Sequence, residues 1–371
     1  MSPVEAARPG SKAPARRAGR LAEEAAAGGL DGLIVSGPAN LRYVTGYTGS
    51  NGLALVASDG DWRFLTDFRY ETQAAGQVPP AFAREIVTGE LLEALAEALP
   101  AGRIGFDDTA LSVRQHARLV EHAAAGAELV AAGGIVERLR AVKDAGEIAR
   151  IRAAAALVDD VYAWLLERGL AGRLERDVAV ELEHEMRRRG AEEPSFASIV
   201  ASGVRGALPH ASPGADPIEP GTLVTIDIGA RLDGYCSDCT RTFAVGGPPD
   251  ELGREIYELV LRAQLAGLEA VAPGRTGREV DAVARAVIED AGHGERFGHG
   301  LGHGVGIEIH EGPRLSRRGG EETLVAGHVV TVEPGVYLPG RLGVRIEDLV
   351  VVTADGAEAL SRFTKELLIA G

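Results

Sequence analysis

Thr222-Leu223-Val224-Thr225-Ile226-Asp227-Ile228-Gly229, then Asp233-Gly234, then Tyr235 through Val245, is the stretch whose reading decides the fold of the second half of the chain. Apolar and β-branched residues on both sides of an Asp-Gly pair are the pattern of a β-hairpin. Two registers are open. A two-residue loop sets Asp238 opposite Gly229 and diagonal to Asp227, whereas a four-residue loop sets the two aspartates directly opposite. Either register puts both carboxylates on one face of the ladder. Two like charges that close require a cation between them or a proton on one of them. Acids at strand edges usually face solvent, so the pair alone leaves both possibilities standing.

The segments around the hairpin favour the cation. Phe297 through Glu311 carries His299, His303 and His310, three of the nine histidines in the chain, among many glycines. Glycine on both sides of His303 lets backbone approach a ligand without a Cβ clash. Gly302-x-Gly304-x-Gly306 is not a dinucleotide fingerprint, because it lacks both the preceding strand and the GxGxxG spacing. Two further acids follow. Glu333, before Pro334-Gly335, ends an apolar strand, and in Gly343-Val344-Arg345-Ile346-Glu347-Asp348 the side chains of Arg345 and Glu347 share a face opposite Val344 and Ile346. Arg345 beside Glu347 is either a surface ion pair, worth little, or a brace behind a ligand carboxylate.

Charge counting sharpens the choice. Asp227, Asp238, Glu333 and Glu347 carry four negative charges, which two divalent cations balance. Oxygen-rich ligation with the single imidazole of His303 suits manganese, with cobalt or zinc as alternatives. Two such ions can share a hydroxide and polarise a carbonyl, which is the logic of metal-assisted hydrolysis.

The order Ile226-Asp227-Ile228-Gly229, Ser237-Asp238-Cys239-Thr240-Arg241-Thr242, Gly302-His303-Gly304, Glu333-Pro334-Gly335 and Arg345-Ile346-Glu347-Asp348 resembles the metal-dependent "pita-bread" peptidases of family M24: Xaa-Pro aminopeptidase, prolidase and methionine aminopeptidase. The resemblance covers about 145–371. The first half, including Asn40-Leu41-Arg42-Tyr43-Val44-Thr45-Gly46-Tyr47-Thr48-Gly49-Ser50-Asn51-Gly52, resembles the creatinase-type N-terminal domain of the same group. Bacterial methionine aminopeptidases lack that half.

The resemblance implies a dinuclear centre in which Asp238 and Glu347 bridge both metals, Asp227 completes one site, and His303 and Glu333 complete the other. It implies that His210, in Leu208-Pro209-His210-Ala211, binds substrate, that His310 lies near the scissile carbonyl and leaving nitrogen, and that His299 lines the pocket. It also implies proline-containing peptides as substrates and a homodimer. Protonation of the proline nitrogen requires a general acid, with His310 and Glu333 as candidates. Because Tyr47 through Gly52 looks like the bacterial aminopeptidase branch, the first expectation is Xaa-Pro aminopeptidase, with Xaa-Pro dipeptidase (prolidase) as the alternative. A creatinase-like metal-free hydrolase and a non-catalytic binding module are disfavoured, because both lose ligands and none is missing here.

Bulk properties agree. A chain of 371 residues points to two domains. A formal charge of −15 argues against nucleic acid or an anionic membrane as partner. Two cysteines, Cys236 and Cys239, build no disulfide framework, and their i, i+3 spacing on a strand points them to opposite faces. Arg8, Lys12, Arg16, Arg17 and Arg20 are followed by no apolar run, so no secretory signal is expected and the cytoplasm is the default. The α/β expectation is a leader at 1–16, an N-terminal domain at 17–140 with a mixed sheet flanked by helices, and a catalytic domain at 145–371. Helices are expected at 91–99, 113–124, 147–167, 176–189, 251–270 and 277–291, with a loop from 194 to 221.

Overall fold

The computed structural model describes residues 12–371. The chain divides into two compact units, one ending at Arg140 and the other running from Ala141 to Gly371. Most of the expected leader lies outside the described residues. Its last four residues, Ala13 to Arg16, are instead the first turn of a helix, Ala13–Ala27. Ala18, Leu21, Ala22 and Ala25 make one apolar stripe at helical spacing, and the Arg17 guanidinium lies 4.6 Å above the Tyr43 ring.

The first unit is a six-stranded mixed sheet with helices. Its strands are β1 (Gly32–Val35), β2 (Leu53–Ala57), β3 (Trp62–Thr66), β4 (Ala83–Ile86), β5 (Gly102–Phe106) and β6 (Ala127–Ala131), in the spatial order β4-β3-β2-β1-β5-β6. β2 and β3 form the expected hairpin, with Val56 opposite Trp62. Ile34, Leu55, Leu65, Ile104 and Phe106 pack with Leu91, Leu95 and Leu119 from the helices Leu91–Glu97 and Val113–His122.

In the second unit two helix pairs each cover a sheet. The strands are β7 (Glu193–Pro194), β8 (Ile199–Ser202), β9 (Leu223–Ile228), β10 (Ala230–Leu232), β11 (Tyr235–Cys236), β12 (Cys239–Val245), β13 (Gly302–Gly304), β14 (Glu311–Leu315), β15 (Val329–Val332), β16 (Gly335–Leu338), β17 (Leu342–Arg345), β18 (Asp348–Val352), β19 (Ala357–Ala359) and β20 (Ile369–Ala370). The sheet β20-β12-β9-β8 buries Val224, Ile226, Ile228 and Phe243 against the helices Ala145–Leu166 and Glu175–Arg188. The sheet β14-β13-β15-β18-β19 buries Val330, Val332, Val350 and Val352 against Glu251–Ala270 and Gly277–Asp290. Capping fixes where these helices start. Asp144 with Glu147, and Thr276 with Glu279, form capping boxes, and Asp250 accepts from the Gly253 N–H.

One expected loop is partly ordered sheet. Ile199-Val200-Ala201-Ser202, within the Pro-, Ser- and Gly-rich stretch 194–221, pairs antiparallel with β9 and is wholly buried. Four residues are too short for periodicity to distinguish from loop, and burial of both faces erases alternation. Among the described residues no helix is long and apolar enough to cross a membrane.

Candidate metal centre

The hairpin takes the two-residue register. Leu232 pairs with Tyr235, Arg231 with Cys236, Ile228 with Cys239 and Asp227 with Thr240. Asp233 at φ 48° and Gly234 at φ 76° make the turn, both with positive φ. On β9 the helix-facing side chains are Val224, Ile226 and Ile228, so Thr225 and Asp227 emerge on the other face. Asp238 shares the parity of Thr240 and joins them. Across from the hairpin, Val344, Ile346 and Val350 belong to the apolar core, which turns Arg345 and Glu347 outward from it.

The result is a buried carboxylate cluster. Oxygens of Asp227, Asp238 and Glu347 lie within 4.8 Å of one another. The Nε2 of His303 lies 3.6 Å from Asp238 Oδ2 and 3.4 Å from Glu333 Oε1. Asp238 therefore belongs to both groupings, and all five residues singled out as ligands meet at one place. The Nδ1 of His303 is 3.1 Å from the Gly304 carbonyl. A proton on Nδ1 satisfies that contact and leaves Nε2 as a lone pair directed at the carboxylates.

The surroundings fix Asp227, Glu347 and Glu333 each by one oxygen. Arg345 donates to Asp227 Oδ2 at 2.7 Å, to the Thr240 hydroxyl at 3.0 Å, to the Tyr337 hydroxyl at 3.0 Å and to the Pro209 carbonyl at 3.1 Å. Thr240 donates to Glu347 Oε2 at 2.7 Å, and Thr331 donates to Glu333 Oε1 at 3.1 Å. Arg241, fully buried, donates to the backbone carbonyl of Glu347 and to Asp348 Oδ1, fixing the start of β18. The other oxygens, Asp227 Oδ1, Asp238 Oδ1 and Glu347 Oε1, are buried without any hydrogen-bond partner. Three orphaned oxygens on three buried carboxylates whose oxygens cluster within 4.8 Å is the arrangement a hard divalent cation satisfies. The residues present fit such ions.

Electrostatics agree. Burial pushes the Asp238 carboxyl well above the usual carboxylate range, and Glu347, Asp227 and Glu333 push it further. Burial likewise raises Glu347, with Glu333 and Asp227 adding to it, and burial raises Glu333. Burial lowers His303, His299 and His310, so each favours the neutral imidazole. A bound dication reverses the carboxylate logic by stabilising the ionised forms.

The three other histidines occupy distinct places. The ring of His310 is 4.3 Å from that of His303, centroid to centroid, at an exposed position. His210 is also exposed, and is near enough to His310 to disfavour its protonation. His299 is engaged instead, with Nε2 2.9 Å from the Tyr337 hydroxyl and Nδ1 2.8 Å from the Gly300 carbonyl. Its segment is clamped by Arg285, which donates to the carbonyls of Phe297 and His299, while Asp281 accepts from the Leu301 N–H.

The glycines beside His303 serve a different purpose from the one expected. A Cβ at Gly302 would fall 1.9 Å from the Thr331 carbonyl oxygen, and one at Gly304 would fall 2.0 Å from that of Gly312. They admit neighbouring strands rather than a ligand. Sequence reasoning also missed Tyr337 and the hydroxyls of Thr240 and Thr331. The signal for Tyr337 is Gly335, two residues earlier on one strand: a Cβ there would lie 2.5 Å from the Tyr337 hydroxyl, which folds back over it toward Arg345. Cys236 and Cys239 are buried and free, with thiols directed at the carbonyls of Ile307 and Glu347.

Comparison with known proteins places this geometry. The family model for metallopeptidase family M24 matches residues 149–354, and that for the creatinase/prolidase N-terminal domain matches residues 17–142. An uncharacterized peptidase, YqhT, of Bacillus subtilis strain 168 is 44% identical over 346 residues, 92% of this chain and 96% of its own length. A Xaa-Pro dipeptidase of Pyrococcus furiosus is 47% identical over 234 residues, 63% of this chain and 67% of its own. The solved structure of a Xaa-Pro dipeptidase from Bacillus anthracis superposes with a TM-score of 0.91 at 40% identity, covering 96% of this chain and 99% of that one.

Proposed function

The chain belongs to metallopeptidase family M24, and on that premise we propose that it is a Xaa-Pro dipeptidase working with two divalent metal ions. The aminopeptidase expectation raised by Tyr47 through Gly52 gives way to its alternative. The observation that carries the choice is the near full-length likeness to the Bacillus anthracis Xaa-Pro dipeptidase, at 40% identity.

In this reading Asp227, Asp238, His303, Glu333 and Glu347 would hold the two ions, with the buried Asp227, Asp238 and Glu347 as the carboxylate core of the set. When bound, the ions supply Lewis acidity and a nucleophile at neutral pH. Manganese is our first choice for a mostly carboxylate set, with cobalt or zinc as alternatives. Arg345 aims the Asp227 carboxylate through one oxygen, with Tyr337 and Thr240 holding Arg345 in turn. His210 and His310 hold the substrate carbonyl before proline. Partial desolvation and the neighbouring His303 and His210 lower His310, which favours the neutral imidazole, a hydrogen-bond donor to that carbonyl. Glu333 would take the proton that the attacking water gives up as its oxygen bonds to the carbonyl carbon, and pass it to the proline nitrogen as the C–N bond breaks. His299 does not face substrate directly, since both ring nitrogens are occupied, and it acts by seating Tyr337.

A cytoplasmic setting is carried over as an expectation from the absence of an apolar run after the N-terminal arginines. A homodimer, carried by resemblance, belongs to the same reading and is tested by light scattering. The deciding assay is hydrolysis of Gly-Pro and Ala-Pro against Ala-Pro-Ala after reconstitution with Mn²⁺ or Co²⁺. Dipeptides cleaved in preference support the dipeptidase. Tripeptides cleaved in preference restore the aminopeptidase, and no metal-dependent cleavage of either removes the reading.

A further inference from the structure

We propose that Glu175 is a positioning residue for substrate binding, acting through the loop that carries His210. This rests on the reading of His210 as a substrate-binding histidine. Glu175 opens the helix Glu175–Arg188 and is completely buried, far along the chain from the metal ligands. All four of its contacts go to the two feet of one loop. Its Oε1 accepts from the Ser202 N–H at 2.8 Å and from the Ser202 hydroxyl at 3.0 Å, at the loop's entry. Its Oε2 accepts from Arg205 Nε at 2.8 Å, just inside the loop's entry, and from the Gly214 N–H at 3.0 Å, at the loop's exit.

The tie is doubled on both sides. Arg205, held by Glu175, reaches across to donate to the Ser212 carbonyl at 2.5 Å. The backbone N–H groups of Glu175 and Arg176 donate to the carbonyls of Asp216 and Gly214. Between the feet, Leu208 and His210 are exposed, and a single side chain from the metal centre reaches in, through Arg345 to the Pro209 carbonyl. His210 thus sits at the tip of a span pinned by one carboxylate at its base and by Arg345 near its crest. The span is also seated by the 3-10 helix Gly203–Ala207, whose Gly206 lies against Gly343, and by Ala211, buried with Ile199 and Ala201; Glu175 supplies the side-chain tie that joins its two ends. Loosening the base leaves the metal ligands where they are and lets His210 wander.

The test is a double-mutant cycle between Glu175→Gln and His210→Ala in the manganese-loaded enzyme, with Gly-Pro as substrate. Glutamine keeps the shape but turns an N–H₂ toward N–H donors. We expect Glu175→Gln alone to raise KM roughly fivefold to tenfold with kcat within about twofold, and to add less than about twofold in the His210→Ala background. Metal content stays at the wild-type value. An equal, multiplicative effect in both backgrounds, or a folded Glu175→Gln enzyme with unchanged KM, overturns the proposal. Arg205→Lys, whose side chain is partly exposed, runs through the same cycle should Glu175→Gln fail to fold. Hydrogen exchange of loop 202–214 supplies a readout independent of catalysis. Faster exchange in Glu175→Gln with a wild type inactive on every Xaa-Pro peptide keeps the loop tie and sinks the peptidase reading. Unchanged exchange sinks the tie itself.

Discussion

Asp238→Asn separates the two things the carboxylate cluster does. Asp238 lies within 4.8 Å of both Asp227 and Glu347. At that separation two ionised carboxylates repel by about 3.5 kcal/mol per pair at an effective dielectric of about 20. Metal-free wild type escapes part of this by keeping a proton on the cluster, which is what the raised Asp238 and Glu347 express. Replacing the carboxylate with an amide should therefore stabilise the metal-free protein by on the order of 1–3 kcal/mol near neutral pH. For a unit of this size that is a rise of about 2–10 °C in Tm. The sign with pH follows from linkage. A carboxyl whose folded pKa is raised contributes stability that is fully present below its unfolded value and lost as pH rises through the folded value. The advantage of Asp238→Asn should thus be small at about pH 4 and grow toward about pH 8. With Mn²⁺ added the order reverses, since Asp238 belongs to both ligand groupings. Thermal unfolding of chelator-treated and metal-loaded protein across this pH range, with metal content by mass spectrometry, makes the measurement. A metal-free variant no more stable than metal-free wild type at pH about 8 would refute the reasoning.

Three further outcomes test other parts of the site. Arg345→Lys cannot reach Asp227, Tyr337, Thr240 and the Pro209 carbonyl together, so metal affinity should fall about 10–100-fold in a competition titration; unchanged affinity would make Arg345 a bystander. His310→Ala should lower kcat about 10²-fold or more while both metals remain bound, as expected for a lost hydrogen-bond donor to the reacting carbonyl, and loss of metal would assign His310 to the ligand set instead. Thr240→Val removes the hydroxyl that links Arg345 to Glu347 and should weaken metal binding about tenfold with little change in KM; a KM effect without a metal effect would contradict that role.

How much of this was legible in sequence depends on the range of the forces involved. Asp227 and Glu347 were readable because strand alternation fixes their faces, whereas His303 was marked by its flanking glycines and the full set of five by the family resemblance. Val344 and Ile346 turned inward necessarily turn Arg345 and Glu347 the other way. The Asp-Gly turn offered two registers, and only the ladder itself, with Asp227 opposite Thr240, decides between them. The helices expected at 147–167 and 277–291 from apolar spacing are present as Ala145–Leu166 and Gly277–Asp290, and the capping boxes at Asp144 and Thr276 fix where they start. What escaped is what depends on distant partners. Tyr337, Thr240 and Thr331 matter through contacts to residues from other strands or ladders, and no local pattern marks a hydroxyl as engaged. Residues 13–16 were read as leader from Ala, Pro and Arg content, yet Ala18, Leu21, Ala22 and Ala25 had supplied a helical stripe just beyond. The edge strand Ala83–Ile86 shows no buried face at all, so alternation had nothing to report.

The two-residue turn at Asp233-Gly234 lies well along the hairpin from the acids it aligns, and this distance imposes a parity rule on the lineage of such chains. Side chains alternate faces with each residue, so a single insertion or deletion at the tip that shifts the pairing sends one aspartate to the helix side and leaves the other behind. Changes in pairs keep both on the same face, and a lone extra residue is harmless only where it is absorbed as a bulge. Length variation at this tip should therefore be tolerated in twos.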